Sequence, residues 1–137
     1  RENLQNQINK LGLEDTLILK EPVRDIDKQY LSSSMIAMTS RYEGLPMALL
    51  EGQASGLPLI SYTCKCGPKD IIQEGKNGYL LEEGDKVGMA NKILTLIRDP
   101  ELRDSMGQQA FEMSNNFSEA MVMEKWIQLF NDSLNNR

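Results

Sequence analysis

The sequence predicts an α/β fold, in which an open parallel sheet with flanking helices is followed by a helical C-terminal segment. Two observations carry this prediction. Short apolar runs alternate with helix-like segments up to residue 81, as in parallel sheets whose strands are joined by right-handed helical crossovers. From residue 85 onward, only helical spacing of the apolar residues remains.

The first part of the chain predicts a helix, a strand and a second helix. Residues 1–11 place their apolar side chains at helical spacing. Residues 16–20 form an apolar run typical of a strand, which Pro22 closes. Asp25 is suited to cap a short helix over residues 26–31.

The middle of the chain predicts a buried strand over residues 35–39 and a helix over residues 46–55. Pro46 suits the first helical position, where a missing N–H has no consequence, and Gly56 suits the left-handed position that ends a helix. The remaining elements are expected at 58–62 (strand), 68–73 (short helix) and 78–81 (a marginal strand).

Three helices are expected after Asp85, with a break at Asp99–Pro100 and a cap at Ser118. The apolar stripe of the last helix is wider than a peripheral helix needs. We expect one side of that helix to pack on this domain and the other on a region outside this sequence. The alternative, a helix covered entirely by its own domain, stays open.

Composition excludes several classes of function. The 137 residues fit one domain, and 40% of them are apolar. The formal net charge is −5 without a cluster of basic residues, which argues against binding nucleic acid or an anionic membrane through a basic patch. Without a signal peptide or a run of roughly 20 apolar residues, the domain is expected to be cytosolic, with any membrane contact made by regions outside this sequence.

The chain has two cysteines, Cys64 and Cys66, and no histidine. Cysteines one residue apart supply at most two metal ligands and close a disulfide only in a strained ring. A zinc site or a histidine-based catalytic triad cannot be built from these residues. Both cysteines are therefore expected to be free thiols in a reducing compartment.

The most informative segment spans residues 40–58 and holds two carboxylates, Glu43 and Glu51, eight residues apart. Glu43, Gly44 and Leu45 are expected in the loop between a buried strand and the helix that carries Glu51. Open α/β sheets bind ligands at the carboxyl ends of their strands. This loop is therefore the predicted ligand site.

The segment resembles the donor-binding signature of family 4 glycosyltransferases, which are retaining enzymes of the GT-B architecture. The matching residues are Glu43, Gly44, Pro46, Glu51, Ala54, Ser55, Gly56 and Pro58. The likeness continues through residues 67–72 and 75–81 to Phe117–Ser118, at the start of the last helix. The resemblance therefore covers nearly the whole chain.

The resemblance implies a Rossmann-like C-terminal domain, truncated at its N-terminus, that binds a nucleotide sugar. Transfer to a glycan or a lipid-linked acceptor in bacterial surface polysaccharide synthesis is the implied function. The acceptor-binding N-terminal domain is expected outside residues 1–137. So are the first strand–helix unit and its Arg and Lys, which grip the diphosphate in the family. Alone, the fragment is expected to be inactive and to bind nucleotide weakly.

The resemblance also implies roles for the two carboxylates. Glu43 is the expected catalytic residue and contacts hydroxyls of the transferred sugar. It acts either as a nucleophile or as an electrostatic and positioning group. The bland alternative is an acidic residue that complements a helix dipole. Glu51 is expected to accept hydrogen bonds from the ribose, on a helix whose buried side holds Leu50 and Ala54.

The other donor contacts are expected from the backbone. Gly44 and Leu45 offer N–H groups at a helix N-terminus, and the backbone at Pro22 and Val23 is expected to meet the base. No metal or other cofactor is expected, because basic groups and a helix end replace the cation in this architecture.

Two other functions are considered. A nucleotide-sugar epimerase shares the architecture but resembles a different signature, without this carboxylate spacing. A non-enzymatic regulatory α/β module of the receiver type needs an Asp at the end of a central strand, whereas the predicted strands end in Lys20, Thr39 and Tyr62.

Overall fold

A three-stranded parallel sheet forms the centre of the protein in the computed structural model, which describes residues 1–135. The strands are β1 (Ile36–Met38), β2 (Leu59–Tyr62) and β3 (Gly78–Leu81), arranged in the order β1-β2-β3. Both strand pairs are parallel, with Ile36 beside Leu59 and Leu59 beside Gly78. The predicted α/β class is confirmed.

Seven α-helices are described. They are α1 (Glu2–Lys10), α2 (Ile26–Leu31), α3 (Met47–Ala54), α4 (Pro68–Ile71), α5 (Lys86–Arg98), α6 (Pro100–Ser114) and α7 (Glu119–Asn135), with a 3₁₀ turn at Asn115–Phe117. The predicted break between α5 and α6 is confirmed: Asp99 ends α5, and its side chain accepts a hydrogen bond of 2.9 Å from the Leu102 N–H at the start of α6.

Helices cover both faces of the sheet. On one face, Ile60 of β2 and Tyr79 of β3 pack with Leu96 of α5 and Met106 of α6. The opposite face, which carries Leu59, packs against α3 and α4 through a cluster that also contains Met38, Leu49, Ile71 and Ile72. Because side chains alternate along a strand, β2 contributes to both cores and is buried along its whole length.

Both ends of α3 are well defined. Pro46 is the extended N-cap residue, with φ −76° and ψ 91°, so the helix begins one residue later than predicted. Gly56 adopts φ +74° just after the helix, as predicted. A Cβ atom built on Gly107 of α6 would overlap the Gly56 carbonyl oxygen, so glycine at position 107 lets α6 meet this end of α3 directly.

The predicted strand over residues 16–20 is wrong. These residues form a turn and then an irregular segment, and the Ile18 side chain is 72% exposed. The Arg1 guanidinium donates to the carbonyl oxygens of Leu19 at 2.7 Å and Lys20 at 3.4 Å. A strand needs a neighbouring strand for its backbone groups, and among residues 1–135 this segment pairs with none.

Helix α7 has no buried residue in the described structure. Its large apolar side chains are 36% to 69% exposed, including Trp126 at 50% and Phe130 at 59%. The expectation that one side packs on this domain is therefore wrong, and so is the alternative that its own domain covers the whole helix. Packing on a region outside this sequence stays a prediction. An apolar stripe forms a helix locally, but its burial depends on a partner surface.

Two further expectations concern the whole chain. The cysteines are free, with Cys64 buried and Cys66 exposed, as predicted. Within residues 1–135, no helix combines the length and the apolar character needed to cross a membrane.

Candidate functional site

The loop that leaves β1 carries Glu43, Gly44 and Leu45 to the start of α3, as predicted. Glu43 is half-buried, whereas Gly44 and Leu45 are exposed. Within residues 1–135, the Glu43 carboxylate is recorded in neither a side-chain hydrogen bond nor an ion pair with another residue. Its oxygens can therefore accept hydrogen bonds from a ligand.

Backbone donors of this loop are also available. Among the described residues, the N–H groups of Gly44 and Leu45 donate to no protein acceptor, whereas those of Leu49 and Leu50 bond to the Pro46 carbonyl. The loop lies at the positive end of the α3 dipole. A carboxylate beside unpaired N–H groups can hold both hydroxyls and anionic oxygens.

Gly67 packs closely against this loop. It adopts φ +92° at the N-cap of α4. A Cβ atom at this position would lie 2.5 Å from Cδ of Pro46 and 2.8 Å from the carbonyl oxygen of Gly44. Both the backbone angle and the close approach require glycine. In the sequence, Gly67 stands out only as one of the residues that resemble the glycosyltransferase family. Its contact with the Glu43 loop is visible only in the structure.

Glu51 lies in the second turn of α3, and its carboxylate is held by a tyrosine that the sequence analysis did not single out. The Tyr30 hydroxyl, on α2, donates to Oε2 of Glu51 at 2.9 Å. Glu51 is half-buried and borders a cleft of about 350 Å³ together with Phe117 and Ser118. The two partners are 21 positions apart in the sequence, so only the fold brings them together.

The predicted buried side of α3 needs correction. Ala54 is exposed and Leu50 is only half-buried, whereas Leu49, Gly52 and Gln53 are buried. The helix therefore faces the sheet about one residue away from the predicted direction, a rotation of roughly 100°.

The pKa of Tyr30 rises from 10.0 to about 12. Burial of the phenol is the largest cause, and the hydrogen bond to Glu51 and its negative charge add to it. Tyr30 is therefore a neutral hydrogen-bond donor throughout the physiological pH range.

Pro22 and Val23 border a different, larger cleft of about 950 Å³, which Ile26 and Gln29 of α2 also line. Val23 is 45% exposed. Gln29 of α2 lines this cleft, and the next residue, Tyr30, bonds to Glu51, so α2 contacts both the cleft of Pro22 and the Glu51 side chain.

A third cleft, of about 350 Å³, opens where the strands end. Thr39 follows β1, Tyr62 ends β2 and Glu83 comes shortly after β3. Arg41 also lines this cleft, and its Nε pairs with Oε1 of Glu83 at 3.5 Å. Across residues 1–135, no three Cys, Asp or Glu side chains converge as metal ligands would.

An open parallel sheet with helices on both faces, and a carboxylate loop at the carboxyl end of a strand, defines a Rossmann-like ligand-binding domain. The Glycosyl transferases group 1 family matches residues 1–113, and the chain belongs to this family.

Three similar proteins agree with this assignment. The amylovoran biosynthesis glycosyltransferase AmsD of Erwinia amylovora is 36% identical over 128 residues, which is 93% of this chain. A crystallised S. aureus TarM mutant, in complex with fondaparinux, α-GlcNAc-glycerol and UDP, is 32% identical over 96% of this chain, with a TM-score of 0.89. The pneumococcal O-GlcNAc transferase GtfA, in complex with UDP and GlcNAc, is 26% identical over 97%, with a TM-score of 0.82.

These neighbours confirm the GT-B type of Rossmann-like domain that the sequence predicts. The chain spans 36% of the length of AmsD and 27% of each of the two crystallised chains.

Proposed function

We propose that this chain is the donor-binding part of a retaining glycosyltransferase, which binds a uridine diphosphate sugar for transfer to a glycan or a lipid-linked acceptor. The observation that carries the proposal is the Glu43 loop at the start of α3, where, among residues 1–135, the Glu43 carboxylate and the N–H groups of Gly44 and Leu45 have no protein partner. Two similar crystallised transferases contain UDP, which supports a uridine nucleotide. The likeness to an amylovoran biosynthesis enzyme supports a bacterial surface polysaccharide as the product.

The reaction breaks the bond between the anomeric carbon and the β-phosphate oxygen and forms a bond from that carbon to an acceptor hydroxyl oxygen. The nucleoside diphosphate leaves with the bonding electron pair, and the hydroxyl proton is released. Positive charge develops at the anomeric carbon, and negative charge develops on the leaving phosphate. The site must therefore stabilise charges of both signs.

In the proposed site, residues at different positions bind different parts of the donor. Glu43 accepts hydrogen bonds from the sugar hydroxyls and stabilises the developing positive charge. The N–H groups of Gly44 and Leu45 face the diphosphate. Glu51 accepts the ribose hydroxyls, and the backbone at Pro22 and Val23 meets the base across α2. No metal is assigned a role, because these donors and basic groups elsewhere in the intact protein neutralise the diphosphate.

The test is Glu43→Gln in the intact enzyme. We expect turnover to fall at least tenfold, equivalent to about 1.4 kcal/mol of barrier, because the amide cannot stabilise positive charge as a carboxylate does. Turnover is measured with a panel of nucleotide sugars, and NMR of the product reports whether the anomeric configuration is retained.

Glu101→Gln is the matched control. Glu101 is an exposed carboxylate in the first turn of α6, so its loss removes a helix-dipole interaction on a different helix from the one that follows the Glu43 loop. Turnover of this variant should equal that of the wild type. If Glu43→Gln behaves in the same way, Glu43 is only a helix-end charge and the proposed site is wrong.

No described contact favours a nucleotide-sugar epimerase or a receiver-type regulatory module. The panel assay separates them from a transferase, because an epimerase changes the donor sugar without an acceptor and a regulatory module consumes no donor.

A further inference from the structure

A tyrosine that is not among the signature residues contacts the second carboxylate of the signature. Tyr30 lies on α2 and donates its hydroxyl hydrogen to Oε2 of Glu51 at 2.9 Å. Both residues are half-buried. Within residues 1–135, no other side chain forms a recorded hydrogen bond or ion pair with the Glu51 carboxylate.

This hydrogen bond restricts where the carboxylate can point. A glutamate on a partly exposed helix face samples several side-chain rotamers, and fixing one of them lowers entropy. A hydrogen bond to an ionised carboxylate is about twice as strong as one between neutral groups. Tyr30 therefore favours one orientation of Glu51 before any ligand arrives.

The same bond leaves most of the carboxylate free. An ionised carboxylate offers about four acceptor positions, of which Tyr30 occupies one. Both Glu51 oxygens therefore keep lone pairs for a pair of vicinal hydroxyls. Because the pKa of Tyr30 is about 12, its hydroxyl stays protonated and remains a donor at every pH at which the enzyme would work.

We propose that Tyr30 is a positioning residue that holds Glu51 in the orientation needed to accept the ribose hydroxyls of the donor. This inference rests on the role proposed above for Glu51. Helix α2 would then contribute to the site in two ways, since Gln29, the residue before Tyr30, lines the cleft of Pro22 and Val23. One short helix thereby contributes residues to both the base side and the ribose side of the proposed site.

The test is Tyr30→Phe in the intact enzyme, which removes one oxygen atom and keeps the ring. We expect the Kd for UDP, measured by calorimetry, and the KM for the donor both to rise about tenfold, the effect of losing a charge-assisted hydrogen bond at a preorganised group. The kcat should change less than about twofold, since Tyr30 does not touch the reacting atoms.

Tyr79→Phe is the matched control. Tyr79 is 8% exposed in β3, lies under Nζ of Lys92 at 4.0 Å and has no recorded hydroxyl hydrogen bond among the described residues. This variant also removes one tyrosine oxygen, but away from Glu51, and should bind UDP as the wild type does. An equal loss of UDP affinity in both variants, with equal loss of thermal stability, would mean general loosening and would overturn the inference.

A double-mutant cycle separates the inference from the proposal beneath it. If Tyr30 acts through Glu51, Tyr30→Phe added to Glu51→Gln should weaken UDP binding no further than Glu51→Gln alone. Weak binding by Glu51→Gln beside normal binding by Tyr30→Phe would overturn only the positioning role. Normal binding by Glu51→Gln would overturn the ribose role of Glu51 and the inference with it.

Discussion

Helices α3 and α7 are both rich in apolar residues, yet their surroundings are opposite. Helix α3 lies against the sheet and α6, and Leu49 on it is completely buried. Helix α7 is about twice as long and buries nothing, and its Trp126 and Phe130 rings stack on each other with centroids 5.7 Å apart. The difference teaches that apolar spacing determines a helix, while its burial is determined by what surrounds it.

The largest expected effect compares the same substitution on the two helices. Leu49→Ala should lower the free energy of unfolding by about 2–5 kcal/mol, because it leaves a cavity between α3 and the sheet. Leu134→Ala on α7, where the side chain is 69% exposed, should change it by less than about 0.5 kcal/mol. Urea unfolding of this chain measures both, and equal losses would show that α7 is packed in solution.

A smaller effect is expected at the N-terminal end of α3. Gly67→Ala should lower kcat/KM of the intact enzyme about tenfold, because its methyl group would push Pro46 and the Gly44 carbonyl out of place. Gly75→Ala is the control, since Gly75 also has a positive φ, of +74°, but a Cβ there meets nothing within 4 Å. This control should be less stable without losing activity.

If the two glycine variants lose activity equally, contact with the Glu43 loop is not the cause. The loss would then reflect only the strain of an alanine at positive φ, which is about 1–2 kcal/mol.

The smallest effect concerns the hydrogen bond that joins α2 to α3. The pKa of Tyr30 is raised from 10.0 to about 12 in the folded protein, so the folded state holds its proton more tightly than the unfolded state. Its contribution to stability is therefore complete below pH 10 and is lost as the pH rises from 10 toward 12. Urea unfolding at about pH 9 and about pH 11.5 should show a larger loss for the wild type than for Tyr30→Phe. Equal losses would contradict the shifted pKa.

The fold was largely predictable where the sequence marks both the start and the end of a helix or strand with characteristic residues. Pro46 and Gly56 delimit α3 to within one residue at each end, and the marginal strand at 78–81 is present as predicted. The strand predicted over residues 16–20 is wrong because a strand depends on a neighbouring strand, and the local sequence carries no information about that neighbour. Helix α7 was predicted as a helix for local reasons, but its surroundings were not.

The candidate site was predictable in its loop and in the place of Glu51 on α3, but not in its long-range contacts. Glu43, Gly44 and Leu45 could be placed at the end of β1 because a strand, a loop and a helix follow each other in sequence. The contacts of Tyr30 with Glu51 and of Gly67 with the Gly44 loop join residues more than 20 positions apart. Neither contact leaves a periodic or compositional signal along the chain, so the folded structure was needed to find them.

Because Gly107 has no side chain, α6 can contact α3, the helix that follows the Glu43 loop. Helix α6 touches the backbone at Gly56 there, and α3 runs from that contact to the Glu43 loop, a span of about 12 Å for eight residues. A packed helix moves as a rigid rod rather than compressing. A side chain added at this crossing would therefore shift α3 along its axis and move the Glu43 loop, and it would change affinity at the proposed donor site from the other end of the helix.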